Sequence, residues 1–229
     1  VKAINWKDRE GRLWRGGLVY PPNYKAGLKY PLVIQTHGFD PQEFLIDGPY
    51  GTASAFAAQA LANKDIFVLQ MNMPSVPPNQ QALYISQIGF EAAISHLDMK
   101  GLIDKRKVGL IGWSATGVDI QQMLLYSDYS IAAATISDSY NIGLFGYINQ
   151  FGRPAPGMSY IENKLGGGVP WGDGLNKWVV NNPTLHLDRL RTPLRYEQYE
   201  TGLSSWHGTY ALLKRQKKPV EYYVFNDAT

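Results

Sequence analysis

Apolar, β-branched runs bounded by turn residues recur along the 229-residue chain, with helix-like segments between them. That alternation predicts an α/β fold built on a mostly parallel sheet covered by helices on both faces. The clearest predicted strands are Leu32 to Thr36, Ile66 to Met71, Val108 to Trp113, Ile131 to Ile136, Leu194 to Tyr199 and Val220 to Phe225. Leu13 to Tyr20 predicts an earlier antiparallel strand, which Pro21-Pro22 ends. Helices are predicted over Thr52 to Asn63, Gln81 to Met99, Asp119 to Tyr126 and Ser205 to Arg215. In the second of these, Leu83, Phe90, Ile94 and Leu97 share one face, although Gln87 interrupts the stripe. No internal repeat is visible, and the 45% hydrophobic content suits one domain over residues 1 to 229.

Residues 140 to 183 depart from this rhythm. They are rich in glycine and aromatics, including Tyr140, Phe145, Tyr147, Phe151, Tyr160, Trp171 and Trp178. Two readings stand level: an insertion shaping a pocket over the sheet's C-terminal edge, or a surface loop with locally packed aromatics. Gly166-Gly167-Gly168 has neither a preceding strand nor a following Lys-Ser/Thr, so it is not read as a phosphate loop.

Composition narrows the function classes. The net charge is +3, and the short basic runs Lys105-Arg106-Lys107 and Lys214 to Lys218 read as solvated surface, not a nucleic-acid face. Absence of cysteine excludes disulfides, cysteine–zinc sites and thiol catalysis, and neither a metal nor a cofactor is expected. No apolar stretch approaches the roughly 20 residues that span a bilayer, so no membrane segment is expected, and the compartment stays open between cytoplasm and periplasm. The chain begins at Val1 without methionine and ends soon after a strand-like segment, so a piece of a longer protein is expected.

The sharpest chemical signal is Gly112-Trp113-Ser114-Ala115-Thr116-Gly117, directly after the apolar run Lys107 to Ile111. A serine on a tight strand-to-helix turn is how a nucleophile is presented above a sheet edge, and small residues must flank it. Gly112 fits; Thr116 departs from the simple G-x-S-x-G form. For the oxyanion hole, the loop after Leu32 to Thr36 supplies His37-Gly38-Phe39, so the backbone N–H groups of Phe39 and Ala115 are the candidate donors. His37 reads as structural, and His96 and His186 as packing or surface residues. His207 has the chain order expected of a general base but falls in a helix, not after the last strand. Glu200, after Leu194 to Tyr199, and Asp138, just past Ile131 to Ile136, are the alternative acids.

A longer pattern joins these pieces. Leu18 to Tyr24, Lys29 to Ile34, His37-Gly38-Phe39, Lys107 to Ser114, Arg191 to Leu194 and Lys218 to Glu221 resemble, in order, the catalytic domain of the prolyl oligopeptidase family. Within it the chain is similar to a bacterial branch that includes lasso-peptide isopeptidases, where Phe44 to Pro49 has similar form. The resemblance implies an α/β-hydrolase fold, Ser114 as nucleophile, and a peptidase or isopeptidase reaction on small peptides through an acyl-enzyme. It also implies a preceding β-propeller and a catalytic histidine in a short loop after the last strand, expected just beyond Thr229. The fold is therefore expected to be truncated at its C-terminus, short of its base. Two alternatives are a carboxylesterase, with residues 140 to 183 lining an acyl pocket, and a catalytically dead α/β-hydrolase-like binding module.

Overall fold

The computed structural model describes residues 1–36, 38–39, 58–74, 80–149 and 157–226. His37, the Phe44 to Pro49 segment, the first half of the helix predicted from Thr52, Phe151 and everything after Asn226 lie outside the described residues.

Eight strands form one sheet. They are β1 (Lys2–Lys7), β2 (Leu13–Val19), β3 (Tyr30–Gln35), β4 (Phe67–Met71), β5 (Ile103–Trp113), β6 (Ala133–Ser137), β7 (Leu194–Tyr199) and β8 (Val220–Phe225), in the order β1-β2-β4-β3-β5-β6-β7-β8. β3 pairs parallel with β4 and β5, and β7 parallel with β8; β2 is antiparallel to both β1 and β4. The predicted mostly parallel sheet is therefore present. Strand β1 is an addition: Lys2-Ala3-Ile4-Asn5-Trp6-Lys7 buries only Ile4 and Trp6, an alternation too short to stand out before its partner is known. The helices are α1 (Ala58–Ala62), α2 (Gln80–Met99), α3 (Gly117–Tyr126), α4 (Leu144–Asn149), α5 (Gly157–Lys164), α6 (Leu175–Asn181) and α7 (Leu203–Arg215).

The chain divides into two compact units, Val1–Pro74 with Ile88–Gly112 and Asp128–Ala134, and Ser75–Gln87 with Trp113–Ser127 and Thr135–Thr229. In the first, the β1–β2 hairpin is held by Asp8. Its Oδ1 accepts the N–H groups of Glu10 and Arg12, both at 2.9 Å, and its Oδ2 accepts Trp14 Nε1 at 3.0 Å. Trp14 is 1% exposed and stacks on Trp6 with ring centres 6.3 Å apart. Trp6 Nε1 in turn donates to the Gly89 carbonyl of α2 at 3.2 Å.

Burial raises the pKa of Asp8, but the hydrogen bonds from Trp14, Arg12 and Glu10, with the Arg12 charge, hold it below the ordinary 3.8. A lowered folded-state pKa means the stabilisation is complete above the unfolded value and is lost as pH falls through the folded one. Thermal unfolding followed down to about pH 2 should therefore show an acid-side loss of stability that Asp8→Asn flattens. Superimposable acid limbs for the two proteins would refute this.

In the second unit, the described part of residues 140 to 183 contains the helices α4, α5 and α6. Tyr147 and Trp178 are buried with Leu83, Val118, Ile142, Ile161 and Leu165, and meet edge to face at 4.9 Å. Successive left-handed residues at Gly166, Gly167 and Gly168 bring the Gly168 carbonyl to Trp178 Nε1 at 2.9 Å. Tyr140 and Trp171 stay exposed. The triple glycine thus serves an indole, and the buried aromatics serve a core. Gln87, which breaks the apolar stripe of α2, is buried but bonded, donating to the Tyr126 carbonyl at 3.3 Å and accepting from Gln122 at 3.1 Å.

Candidate active site

The apolar alternation of β5 ends at Trp113, and the next residue, Ser114, has φ +51. A non-glycine residue in the left-handed region carries strain that persists only where its surroundings over-determine it. Here they do. A 3-10 turn over Ser114–Thr116 leads into α3, and the Gly117 N–H donates to the Ser114 carbonyl. Thr116 Oγ1 donates to the Trp113 carbonyl at 2.7 Å and accepts the Trp113 N–H at 3.3 Å. The threonine that breaks the glycine pattern is thus a clip across the base of the turn.

A second brace comes from the loop after β6. Ser139 Oγ donates to the Ser114 carbonyl at 2.6 Å, and the Ser139 carbonyl accepts Trp206 Nε1 of α7 at 2.7 Å. Gly117 makes room for this: a methyl group there would lie 2.3 Å from Ser139 Oγ and 2.8 Å from Ile136 Cγ2. Asn141 extends the brace, donating to the Ser205 carbonyl at 2.7 Å and to Thr209 Oγ1 at 2.9 Å. The outcome is a half-buried Ser114 beside an exposed Ala115. Asn141, Ser139 and Trp206 carry no motif, and only their spatial convergence identifies them.

The other candidate residues are placed as follows. Asp138 is exposed, has φ +41, and its N–H donates to the Glu197 carbonyl of β7 at 2.7 Å. Glu200 opens the 3-10 turn after β7 and is exposed. Glu197, which the sequence reading passed over, accepts Ser137 Oγ at 2.5 Å. His207 faces solvent on α7 and makes no hydrogen bond to a described residue. His96 is in α2, its Nε2 buried; burial, with the Lys100 charge, lowers its pKa. His186 sits in the 3-10 segment Pro183–Arg189. Among the described residues no group of three or more acidic or histidine side chains is placed to hold a metal ion.

In the first unit, Gly38 has φ +112, a conformation that favours glycine, and Phe39 is 6% exposed against Val19, Ala58, Ala62 and Val68. Asn72, just past β4, grips the Phe39 backbone from both sides: its Oδ1 accepts the Phe39 N–H at 2.6 Å and its Nδ2 donates to the Phe39 carbonyl at 2.9 Å. The proposed oxyanion donor thus already has an acceptor. Asn72 is a positioning residue of that loop which sequence reasoning missed, since nothing in Met71-Asn72-Met73 marks it.

No protein-family model matches the chain. A curated relative, the lasso peptide isopeptidase AtxE2 of Asticcacaulis excentricus, is 24% identical over an alignment 246 positions long, covering 98% of this chain and 33% of the relative. The solved AtxE2 structure superposes with a TM-score of 0.75 at 21% identity, over 99% of this chain and 36% of the other. A puromycin-hydrolysing peptidase of Mycobacterium tuberculosis superposes at 0.73 with 18% identity, covering 99% and 36%. An acylaminoacyl peptidase of Pyrococcus horikoshii gives 0.74 with 16% identity, covering 99% and 37%. The chain thus spans about a third of the length of the proteins it matches. It has the α/β-hydrolase fold, and in sequence and structure it is similar to serine peptidases of the prolyl oligopeptidase type.

Proposed function

We propose that this chain is the hydrolase domain of a serine peptidase or isopeptidase that works through an acyl-enzyme on Ser114. The observation that carries the reading is the strained φ of +51 at Ser114, held by two independent braces at the start of α3. Strain kept at such cost is what a nucleophilic serine on a strand-to-helix turn requires, and it supports that role for Ser114. A general base takes the proton from Oγ as it attacks the carbonyl, and returns it to the leaving amine. The Ala115 N–H, on the residue after the proposed nucleophile, is an oxyanion donor. Glu200 or Asp138 orients the base, which is His207 or a histidine beyond Thr229.

The substrate class is a peptide. Its support is that AtxE2 has been solved with an astexin peptide bound. The parent protein is proposed to carry an N-terminal β-propeller, as the family resemblance implies. An esterase uses the same groups, so turnover of aminoacyl p-nitroanilides against short p-nitrophenyl esters separates the two; ester-only turnover ends the peptidase reading.

The direct test is a fluorophosphonate probe with mass-spectrometric mapping. An adduct on Ser114, absent in Ser114→Ala, is expected. If the 229-residue chain is labelled and His207→Ala abolishes it, His207 is the base; if labelling needs a chain extended past Thr229, the base lies there. No adduct in either chain leaves the binding-module alternative standing in place of the enzyme.

A further inference from the structure

At the end of α3 remote from Ser114, about 15 Å along at 1.5 Å per residue, the second unit holds a half-open cleft of about 550 Å³. The elements that build it are α2, α3, α5, α6 and the segment Pro183–Arg189. Its lining includes the apolar Leu83 and the exposed Val179 and Val180. It also includes Lys164, His186 and Arg189, and none of the described lining residues is acidic.

The three basic side chains are not equivalent. Lys164 is only 8% exposed; burial lowers its pKa while the charge of buried Asp119 opposes that fall. Burial raises Asp119 to about 6 despite the hydrogen bond from Ser86 at 2.8 Å and the attraction of Lys164, so at neutral pH the pair is close to charge-balanced. His186 is oriented by its Nε2, which lies 2.8 Å from the Val180 carbonyl and 3.1 Å from that of Val179. Two carbonyl neighbours make Nε2 the protonated nitrogen. Arg189 stacks its guanidinium over the Tyr126 ring at 5.2 Å, and His186 meets the same ring edge-on at 5.8 Å. Among the described residues Arg189 has no carboxylate within 4 Å and donates no hydrogen bond, so its planar fork is positioned and unused.

We infer that this cleft binds a carboxylate-bearing peptide, the carboxylate forked by Arg189 beside Lys164 and an adjacent apolar side chain laid against Val179, Val180 and Leu83. A positioned guanidinium matches a planar carboxylate through two parallel N–H···O bonds. With Asp119 set against Lys164, Arg189 is the fixed positive charge of the lining, which suits a carboxylate better than a doubly charged phosphate. The apolar wall gives the rest of the ligand a reason to stay. This site is independent of the hydrolase reading, because no part of it touches the elbow.

A chain terminus and an Asp or Glu side chain are the two sources of such a carboxylate, and one titration series distinguishes them. Ser114→Ala protein is titrated with N-acetyl-valyl-leucine, its amide, N-acetyl-aspartyl-leucine amide and inorganic phosphate, followed by amide and side-chain NMR shifts. The acid should saturate with shifts confined to the cleft, and amidation should weaken it about tenfold or more. Arg189→Gln, at an exposed position that tolerates the change, should weaken the acid by a similar factor and leave the amide unaltered. Binding of the aspartyl amide like the acid marks a side-chain carboxylate as sufficient; its failure restricts the site to chain termini. Equal binding of acid and amide, absence of saturation, shifts outside the cleft, or tighter binding of phosphate would each overturn the inference.

Discussion

Alanine at position 117 is expected to destabilise the chain by about 3 kcal/mol and to abolish covalent labelling of Ser114. Helix propensity alone predicts the opposite sign, because glycine to alanine inside a helix gains about 1 kcal/mol. The geometry decides against it. The added methyl would sit 2.3 Å from Ser139 Oγ, 2.5 Å from Ser139 Cβ and 2.8 Å from Ile136 Cγ2. Ser139 has no easy retreat, since its hydroxyl holds the Ser114 carbonyl and its own carbonyl holds the buried Trp206. Either the brace on Ser114 breaks or α3 moves away from β6, and in both cases the serine loses its enforced conformation. Calorimetry should show a melting temperature lower by roughly 6–12 °C. The double variant Gly117→Ala with Ser139→Gly should recover most of the stability and none of the labelling, because it restores space without restoring the brace. A single Gly117→Ala that melts like the parent would overturn the account.

A loss of similar size is expected from Gly89→Ala, read out in the first unit. Here the methyl would lie 2.1–2.5 Å from three atoms of the Trp14 ring. That ring is fixed on every side: its Nε1 is bonded to Asp8, its face is stacked on Trp6, and Trp6 is bonded to the carbonyl of Gly89 itself. Relieving the clash means moving α2 off the β1–β2 hairpin, at about 3 kcal/mol set against the same propensity gain. Trp14→Leu alone should destabilise by leaving a void and an unbonded Asp8 oxygen. Combined with Gly89→Ala it should cost less than the two single changes summed, since the methyl then fills part of the void. Strict additivity would show that the glycine and the indole are not in contact.

The middle of the sheet was readable because strands there are buried on both faces: Phe67-Val68-Leu69-Gln70-Met71 is buried at every position. β7 and β8 begin and end where the residues predict, since turn residues close both ends of each run. The helices of residues 140 to 183 were not readable, because α4 and α6 have six and seven residues, too few for a helical period to show. At the elbow, Ser114 and the strand-to-helix turn were legible in local order. Its supports were not: Ser139, Asn141 and Trp206 come from distant parts of the chain and act through hydrogen bonds that leave no periodic trace. Asn72 was hidden for the same reason, 33 residues from the backbone it grips.

The hydroxyl of Thr116 bears on how such sites are found at all. A serine turn needs a particular backbone shape, and two chemistries reach it: a residue small enough to fold freely, or one polar enough to tie the turn to itself. A search keyed to glycine two places after the serine detects the first and passes over the second. Turns of this kind are better screened by backbone angle and by hydroxyl-to-carbonyl closure than by residue type, and a chain with threonine there belongs among the serine nucleophile candidates from the start.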